Sequence, residues 1–297
     1  MSGRFCLIWV KGHIEAGRKH LLRLTSLGHR AIPMSASFDH PLSIFVISIV
    51  AQLAGAFAGD LIRKRTASFK QGERHDFNIV QAATLTLLAL IIGFSFSMAV
   101  SRYDQRKTLE EAEANAIGTE YLRVDLLPPG DTSHARELLK KYLDLRVAFY
   151  EESNAAQIAE IERQTGSMQS ALWSAVLPGA VSQPTPPMAL VLSGMNDVIN
   201  AQGYTQAAWW NRIPVGAWAM MALMAISCNL LIGYSERRKG QSLLLILPFV
   251  ISVALFLIAD LDSPRGGAIR VRPQNLLAAA QSMKPQLSSD ECRCANG

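Results

Sequence analysis

Cysteine is scarce in this chain. Its 297 residues include four, and their placement excludes a disulfide framework. Cys228 lies inside an apolar run, where a small buried thiol is the expected role. Cys292 and Cys294 form a C-x-C in a polar stretch with no histidine nearby, well short of the roughly four converging ligands that a metal site takes. Histidine is no more concentrated: His13, His20, His29, His40, His75 and His134 are scattered. No nucleophile with an adjacent base and no phosphate-binding loop accompanies them, so the chain reads as a non-enzyme without cofactor or metal. Charge is thin too, at 18% of residues against a hydrophobic fraction of 49%. The net charge of +5 does not point to nucleic acid. Its basic residues flank apolar runs, as in membrane proteins, and no nucleic-acid-binding motif is present.

What the chain does have is long apolar sequence. Four stretches reach the roughly 20 residues needed to cross a bilayer core. They run from about Pro41 to Ile62, Ile79 to Val100, Pro214 to Tyr234 and Leu243 to Leu261. None carries a charge at its middle, where one costs roughly 2.5–3.5 kcal/mol on insertion scales; Asp60 and Asp260 sit at the ends. The expected fold class is an all-α integral membrane protein with four transmembrane helices, paired as two hairpins around a helical middle segment. The expected divisions are a tail over 1–40, a first hairpin over 41–100, an extramembrane segment over 101–213, a second hairpin over 214–262 and a tail over 263–297. The first 33 residues are basic, lack periodicity and lack the layout of a signal peptide. Translation is therefore expected to start at Met34, ahead of MSASFDHPLSIF.

The middle segment reads as helices throughout. No proline interrupts the second span as it runs on through RYDQRKTLEEAEANAIGTEYLRVDLL, so it should continue as one long helix until PPGD, residues 128–131, stops it. A second helix, ARELLKKYLDLRVAFYEES, places Leu138, Tyr142, Arg146 and Phe149 at helical spacing. A third covers about Ala155–Val176, and after SQPTPP a fourth covers about Met188–Asn200.

Several motifs follow from these helices. Gly55 and Gly59 form G-x-x-x-G in the first span, with Ala51 on the same face. Small residues let helices approach closely, either between subunits or between spans of one chain. On the long second helix, steps of three or four residues, with one of seven between Thr108 and Asn115, connect Leu90, Phe94, Ser97, Ser101, Asp104, Thr108, Asn115 and Thr119. Around a symmetry axis this strip would make an apolar neck opening into a polar vestibule; packed against another helix it would only permit close contact. Beside it, Arg106, Glu110 and Glu113, then Glu120 and Arg123, read as a solvated charged face.

After the fourth span comes DLDSPRGGAIRV, residues 260–271. Pro264 ends the helix, and Gly266 and Gly267 permit a sharp turn. Carboxylates at a helix C-terminus are disfavoured by the helix dipole, so Asp260 and Asp262 should have cationic partners. Arg265, Arg270 and Arg102 are the candidates for an ion-paired latch, with a bound cation as the other option.

EANAIGTEYLRVDLLP, residues 113–128, and DLDSPRGGAIRV resemble the two signature segments of a bacterial family of membrane proteins with a bestrophin-like domain. The resemblance covers roughly residues 41–284 in the same hairpin–helices–hairpin order. Through it the chain is distantly similar to bestrophins, which are pentameric anion channels. LIIGFSFSMAVSRYDQ is similar to their second helix, and the match would put Leu90, Phe94 and Thr86 at three neck positions. Thr86 departs from the bulky residue expected there, and the proline of their helix is missing. Where bestrophins carry a longer acidic calcium clasp, only Asp260 and Asp262 stand, which argues against calcium gating. The resemblance puts the middle helices in the cytoplasm. The charge of the short loops, with Arg63, Lys64, Arg65, Lys70, Arg74, Arg237, Arg238 and Lys239, puts them outside.

The function expected is a multi-pass protein of the bacterial inner membrane, a homo-oligomer (a pentamer by resemblance) that passes small anions along the axis of the second helix. The competing reading is a non-conducting scaffold or sensor whose middle helices bind a partner. The bilayer is the expected environment, and nucleic acid is not an expected partner.

Overall fold

No proline occurs between residues 71 and 123, and that whole stretch forms one helix. The computed structural model describes residues 40–65, 71–235 and 243–284. Met34 and the segment before it, Cys6, Cys292, Cys294, Lys70, Arg237, Arg238 and Lys239 lie outside the described residues. The helices are α1 (Pro41–Arg65), α2 (Gln71–Arg123), α3 (Pro129–Glu151), α4 (Ala155–Ser182), α5 (Pro186–Trp210), α6 (Val215–Ser235), α7 (Leu243–Asp262) and α8 (Gln274–Ser282). No strand occurs among the described residues. Four helical stretches among them are long and apolar enough to cross a membrane.

The breaks between helices have local causes. A short 3-10 turn, Val124–Leu126, closes α2 before Pro128 and Pro129. Pro129 opens α3, where a missing N–H costs nothing. Asn154 caps α4 by accepting from the Ala156 and Gln157 backbone N–H groups at 2.9 and 3.4 Å. Prolines 186 and 187 begin α5, which runs to Trp210, ten residues beyond the expected Asn200. The nine-residue α8 follows Pro273 and had no counterpart in the sequence reading.

Two apolar cores form, one per solvent. In the membrane half, α1 packs on α6 and α7, and α2 packs on the same two helices. Met221, Ala225, Ile251, Leu255 and Ile258 fill this core with Leu88 and Ala99 of α2. Outside it, α2 packs on α5 and α8, α3 on α4 and α8, and α4 on α5. Ile117, Leu139, Tyr142, Phe149, Leu172, Val176, Met195 and Leu276 fill that second core. The face expected over Leu138, Tyr142, Arg146 and Phe149 is its lining: the last three are buried and Leu138 is partly so.

The glycines of α1 meet α6 of the same chain. A Cβ on Gly55 would stand 3.1 Å from the Ile226 carbonyl oxygen, and one on Gly59 would overlap the Leu230 carbonyl. Gly233 of α6 answers from the other side, with its missing side chain leaving space for the Ala56 carbonyl. In lipid, where apolar burial does not drive helices together, this close approach supplies packing. A buried polar cluster adds to it. Gln52 donates to Ser48 at 2.8 Å and to Ser252 at 2.9 Å, and Asn229 donates to Gln52 at 3.0 Å. Asn229 also donates to the Ala225 carbonyl at 2.9 Å, so α1, α6 and α7 are tied by bonds with no water to compete.

Gly233→Val should therefore lower the thermal melting point in detergent, overpacking costing about 1–3 kcal/mol. Gly203→Ala, on the open surface of α5 with nothing within 4 Å, should be neutral or stabilising by up to about 1 kcal/mol. Melting curves of the two variants beside wild type check both.

Candidate functional site

Beyond the membrane, the charged residues of α2 are not a solvated face. Arg106, Glu110, Glu113 and Glu120 are between 0 and 2% exposed. The spacing that puts them on one stripe is as expected, but α5, α7, α8 and α3 cover the stripe. A buried charge is tolerable only when it is paired or hydrogen-bonded; Arg106 and Glu110 find their partners at helix ends, and Glu113 in side chains of α3 and α5.

Arg106 caps the C-terminus of α7. Its Nη2 donates to the Leu261 carbonyl at 2.6 Å and its Nη1 to the Asp262 carbonyl at 3.4 Å. Those carbonyls have no partner within their own helix, and a cation also suits the negative end of the helix dipole. One turn earlier, Arg102 reaches the Asp262 carboxylate at 3.3 Å. The same carboxylate accepts from the Ile213 N–H at 3.0 Å, just ahead of α6. Asp262 thus joins the start of α6, the end of α7 and α2.

Asp260 is used differently. It accepts from the Ala268 and Ile269 N–H groups at 2.7 and 2.9 Å, so the chain after α7 folds back around it. Gly267 makes that loop feasible: a Cβ there would stand 2.5 Å from the Asp260 carbonyl oxygen. Arg265 and Arg270, expected to pair with the aspartates, bond to backbone carbonyls. Arg270 donates to the Gly267 carbonyl at 2.7 Å. Arg265 caps the C-terminus of α3, donating to the Phe149 and Glu152 carbonyls at 2.7 Å each. Its guanidinium lies over the rings of Phe149 and Trp209, 4.5 and 4.3 Å from their centroids. Burial lowers its pKa to about 10, still charged at neutral pH.

The carboxylates of α2 complete the junction. Glu110 caps α8, accepting from the Asn275 and Leu276 N–H groups at 2.9 and 3.0 Å and from the Asn275 side chain at 2.6 Å. Glu113 pairs with Arg146 of α3 and accepts from Thr205 of α5 at 3.1 Å. The Tyr150 hydroxyl lies 3.4 Å away. Burial and then the Glu113 charge push the Tyr150 pKa far above the usual tyrosine range, so it stays a neutral donor. Among the described residues no group of three or more His, Cys, Asp or Glu side chains could hold a metal ion.

Among the described residues, the opposite face of α2 is exposed from Thr86 to Thr119. Thr86, Leu90, Phe94, Ser97, Ser101, Asp104, Thr108, Asn115 and Thr119 are all exposed in the single chain. Phe94 is 65% and Leu90 52% exposed. The Thr86 hydroxyl donates to the Ala82 carbonyl of its own helix at 2.9 Å. Sequence reasoning found this face but missed Glu110 and Glu113 as partners of other elements. It also missed Gln52 and Asn229, for which the available signal was their position as amides inside apolar runs.

The family model of the bestrophin-like domain matches residues 51–276. The chain belongs to the bestrophin-like family. Solved structures agree on the fold. A variant of a bacterial bestrophin homologue from Klebsiella pneumoniae superposes with a TM-score of 0.57 at 14% identity, covering 82% of this chain and 94% of that one. A second variant of that homologue gives a TM-score of 0.56 at 12% identity, covering 80% and 96%. A structure described only as a membrane protein gives 0.55 at 13% identity, covering 82% and 95%. No curated protein matches the sequence. This bestrophin-like chain is a membrane protein with an all-helical bestrophin-like fold.

Asp262→Ala should lower the melting point in detergent, since it strips the Ile213 N–H and Arg102 of a buried partner; each such loss costs about 1–3 kcal/mol. Asp104→Ala, at an exposed position of α2, should change melting little.

Proposed function

We propose that this protein is a homo-oligomeric channel of the bacterial inner membrane that passes small anions along an axis lined by α2. The observation that carries the reading is the continuous uncovered face of α2. Its other side is occupied by α5, α6, α7 and α8 of the same chain, while the strip residues from Thr86 to Thr119 stand exposed among the described residues. Copies arranged around an axis would cover it.

In that arrangement Leu90 and Phe94 form the neck, with Thr86 at its end nearer the start of α2. A ring of large apolar side chains resists water and therefore ions, which is how hydrophobic constrictions gate. Ser97 and Ser101 follow with hydroxyls that can donate to an anion losing its hydration shell. Asp104 and the exposed Glu111, which the same stepping places between Thr108 and Asn115, are the acids of the strip, and they would weaken anion selectivity at their levels. The family membership and the likeness to bacterial bestrophin homologues support the channel reading. The fivefold arrangement rests on the resemblance to bestrophins.

The test is chloride efflux from liposomes containing purified protein, wild type beside Phe94→Ala. The variant should conduct faster, and each tenfold gain corresponds to about 1.4 kcal/mol off the barrier. Surface changes on α3 and α4 should leave the flux unaltered. Silence of both proteins, folded and oligomeric, would overturn the channel and favour a scaffold that binds a partner through its middle helices.

A further inference from the structure

Among the described residues, Glu120 alone buries both carboxylate oxygens without a hydrogen-bond partner for either. Glu110 and Glu113, on the same stripe of α2, are fully engaged. Glu120 is 0% exposed and lies 20 residues past Val100, where the apolar run ends, so roughly 30 Å along the helix from that point. It rests on Gly194 of α5. A side chain at 194 would overlap its carboxylate and crowd the Arg123 guanidinium, so the glycine creates the slot that the acid fills.

The charged groups that act on it are Arg123, from its own helix, and Asp197, from α5. Arg123 is close but gives it no hydrogen bond. An unpartnered carboxylate is poorly tolerated in such a slot when ionised and far better tolerated as the neutral acid. Burial accordingly lifts its pKa from 4.5 to about 8; Arg123 opposes the lift and Asp197 adds to it.

We propose that Glu120 is a proton-binding site that switches the α2–α5 contact. As a neutral acid it fills the slot against Gly194. Losing its proton to solvent leaves a buried negative charge beside Asp197 that loosens the two helices. Thr119, the preceding residue, belongs to the uncovered face of α2, so the proton state of Glu120 would regulate ion passage; this regulatory clause rests on the channel reading, and the proton site does not.

The sign of the linkage is fixed by the raised pKa. Between about pH 4.5 and pH 8 the folded protein keeps a proton that the unfolded chain has lost. Stability therefore falls as pH rises through that window and levels off above it. Glu120→Gln keeps the shape without the titration. It should melt like wild type near pH 5, melt several degrees higher near pH 9, and show a flatter profile between.

Melting of the purified full-length protein in detergent across this range is the first test, read together with the infrared band of a protonated carboxyl group, present in wild type at pH 7 and missing in Glu120→Gln. A variant that keeps the band and the wild-type pH profile would overturn the proposal. Should Glu120→Gln fail to fold, Asp197→Asn, an exposed change, should move the midpoint of the band's titration to lower pH; an unmoved midpoint overturns the proposal as well. Chloride efflux at pH 6 and pH 9 separates the two readings. Efflux that responds to pH in wild type but not in Glu120→Gln supports both, while a titrating band with no efflux from wild type or from Phe94→Ala supports the proton site and overturns the channel.

Discussion

Partnering the buried charges of α2 is the constraint on which the extramembrane half depends. A guanidinium or carboxylate taken out of water needs several hydrogen bonds, and every helix end leaves backbone groups short of partners. The two deficits meet on one surface. Arg106 takes the end of α7, Glu110 the start of α8, and Asp262, held by Arg102, the N–H just before α6. Glu113 reaches α3 and α5 through Arg146 and Thr205. Arg265 does the same from outside α2, ending α3. Removing one member leaves two deficits rather than one, which ties the end of α7 to Arg106 and the start of α8 to Glu110, both on α2.

The membrane half solves a different problem with different materials. There the surroundings are as apolar as the side chains, so burial alone does not hold helices together. Contact comes from missing side chains, Gly55 and Gly59 against α6 and Gly233 against α1, and from the amide–hydroxyl cluster of Gln52, Asn229, Ser48 and Ser252. The large residues left pointing outward, such as Val50, Phe57, Leu223 and Phe249, suit a hydrocarbon environment. α2 belongs to both halves.

The parts of this architecture that depend on local chemistry were legible in the sequence. Four spans, the unbroken α2, its stop at Pro128 and Pro129 and the buried face of α3 follow from apolar length, missing prolines and helical spacing. What covers a given face was not legible. Helical spacing puts Arg106, Glu110, Glu113 and Glu120 on one stripe but carries no information on α5 and α8, whose sequences lie far downstream. The same limit applied to Gly55 and Gly59, whose counterpart Gly233 is remote in the chain. Matching opposite charges suggested Arg265 and Arg270 as partners for Asp260 and Asp262; carbonyls at a helix end and in a tight loop are acceptors that a charge count does not see. α8 was too short to announce itself by periodicity.

The order of synthesis gives the Arg106 cap a further meaning. Its acceptors at Leu261 and Asp262 lie 155 and 156 residues later in the chain, so they emerge only after α3 to α6 have been made. The first hairpin must enter the membrane while the polar stripe on the far half of α2 still lies in water, its charges hydrated. Closure of the junction is consequently a late, long-range event, of the kind that slows folding and leaves earlier contacts reversible. The last span does more than anchor the chain: its exit from the bilayer supplies the carbonyls that allow the middle helices to shed water and close over α2.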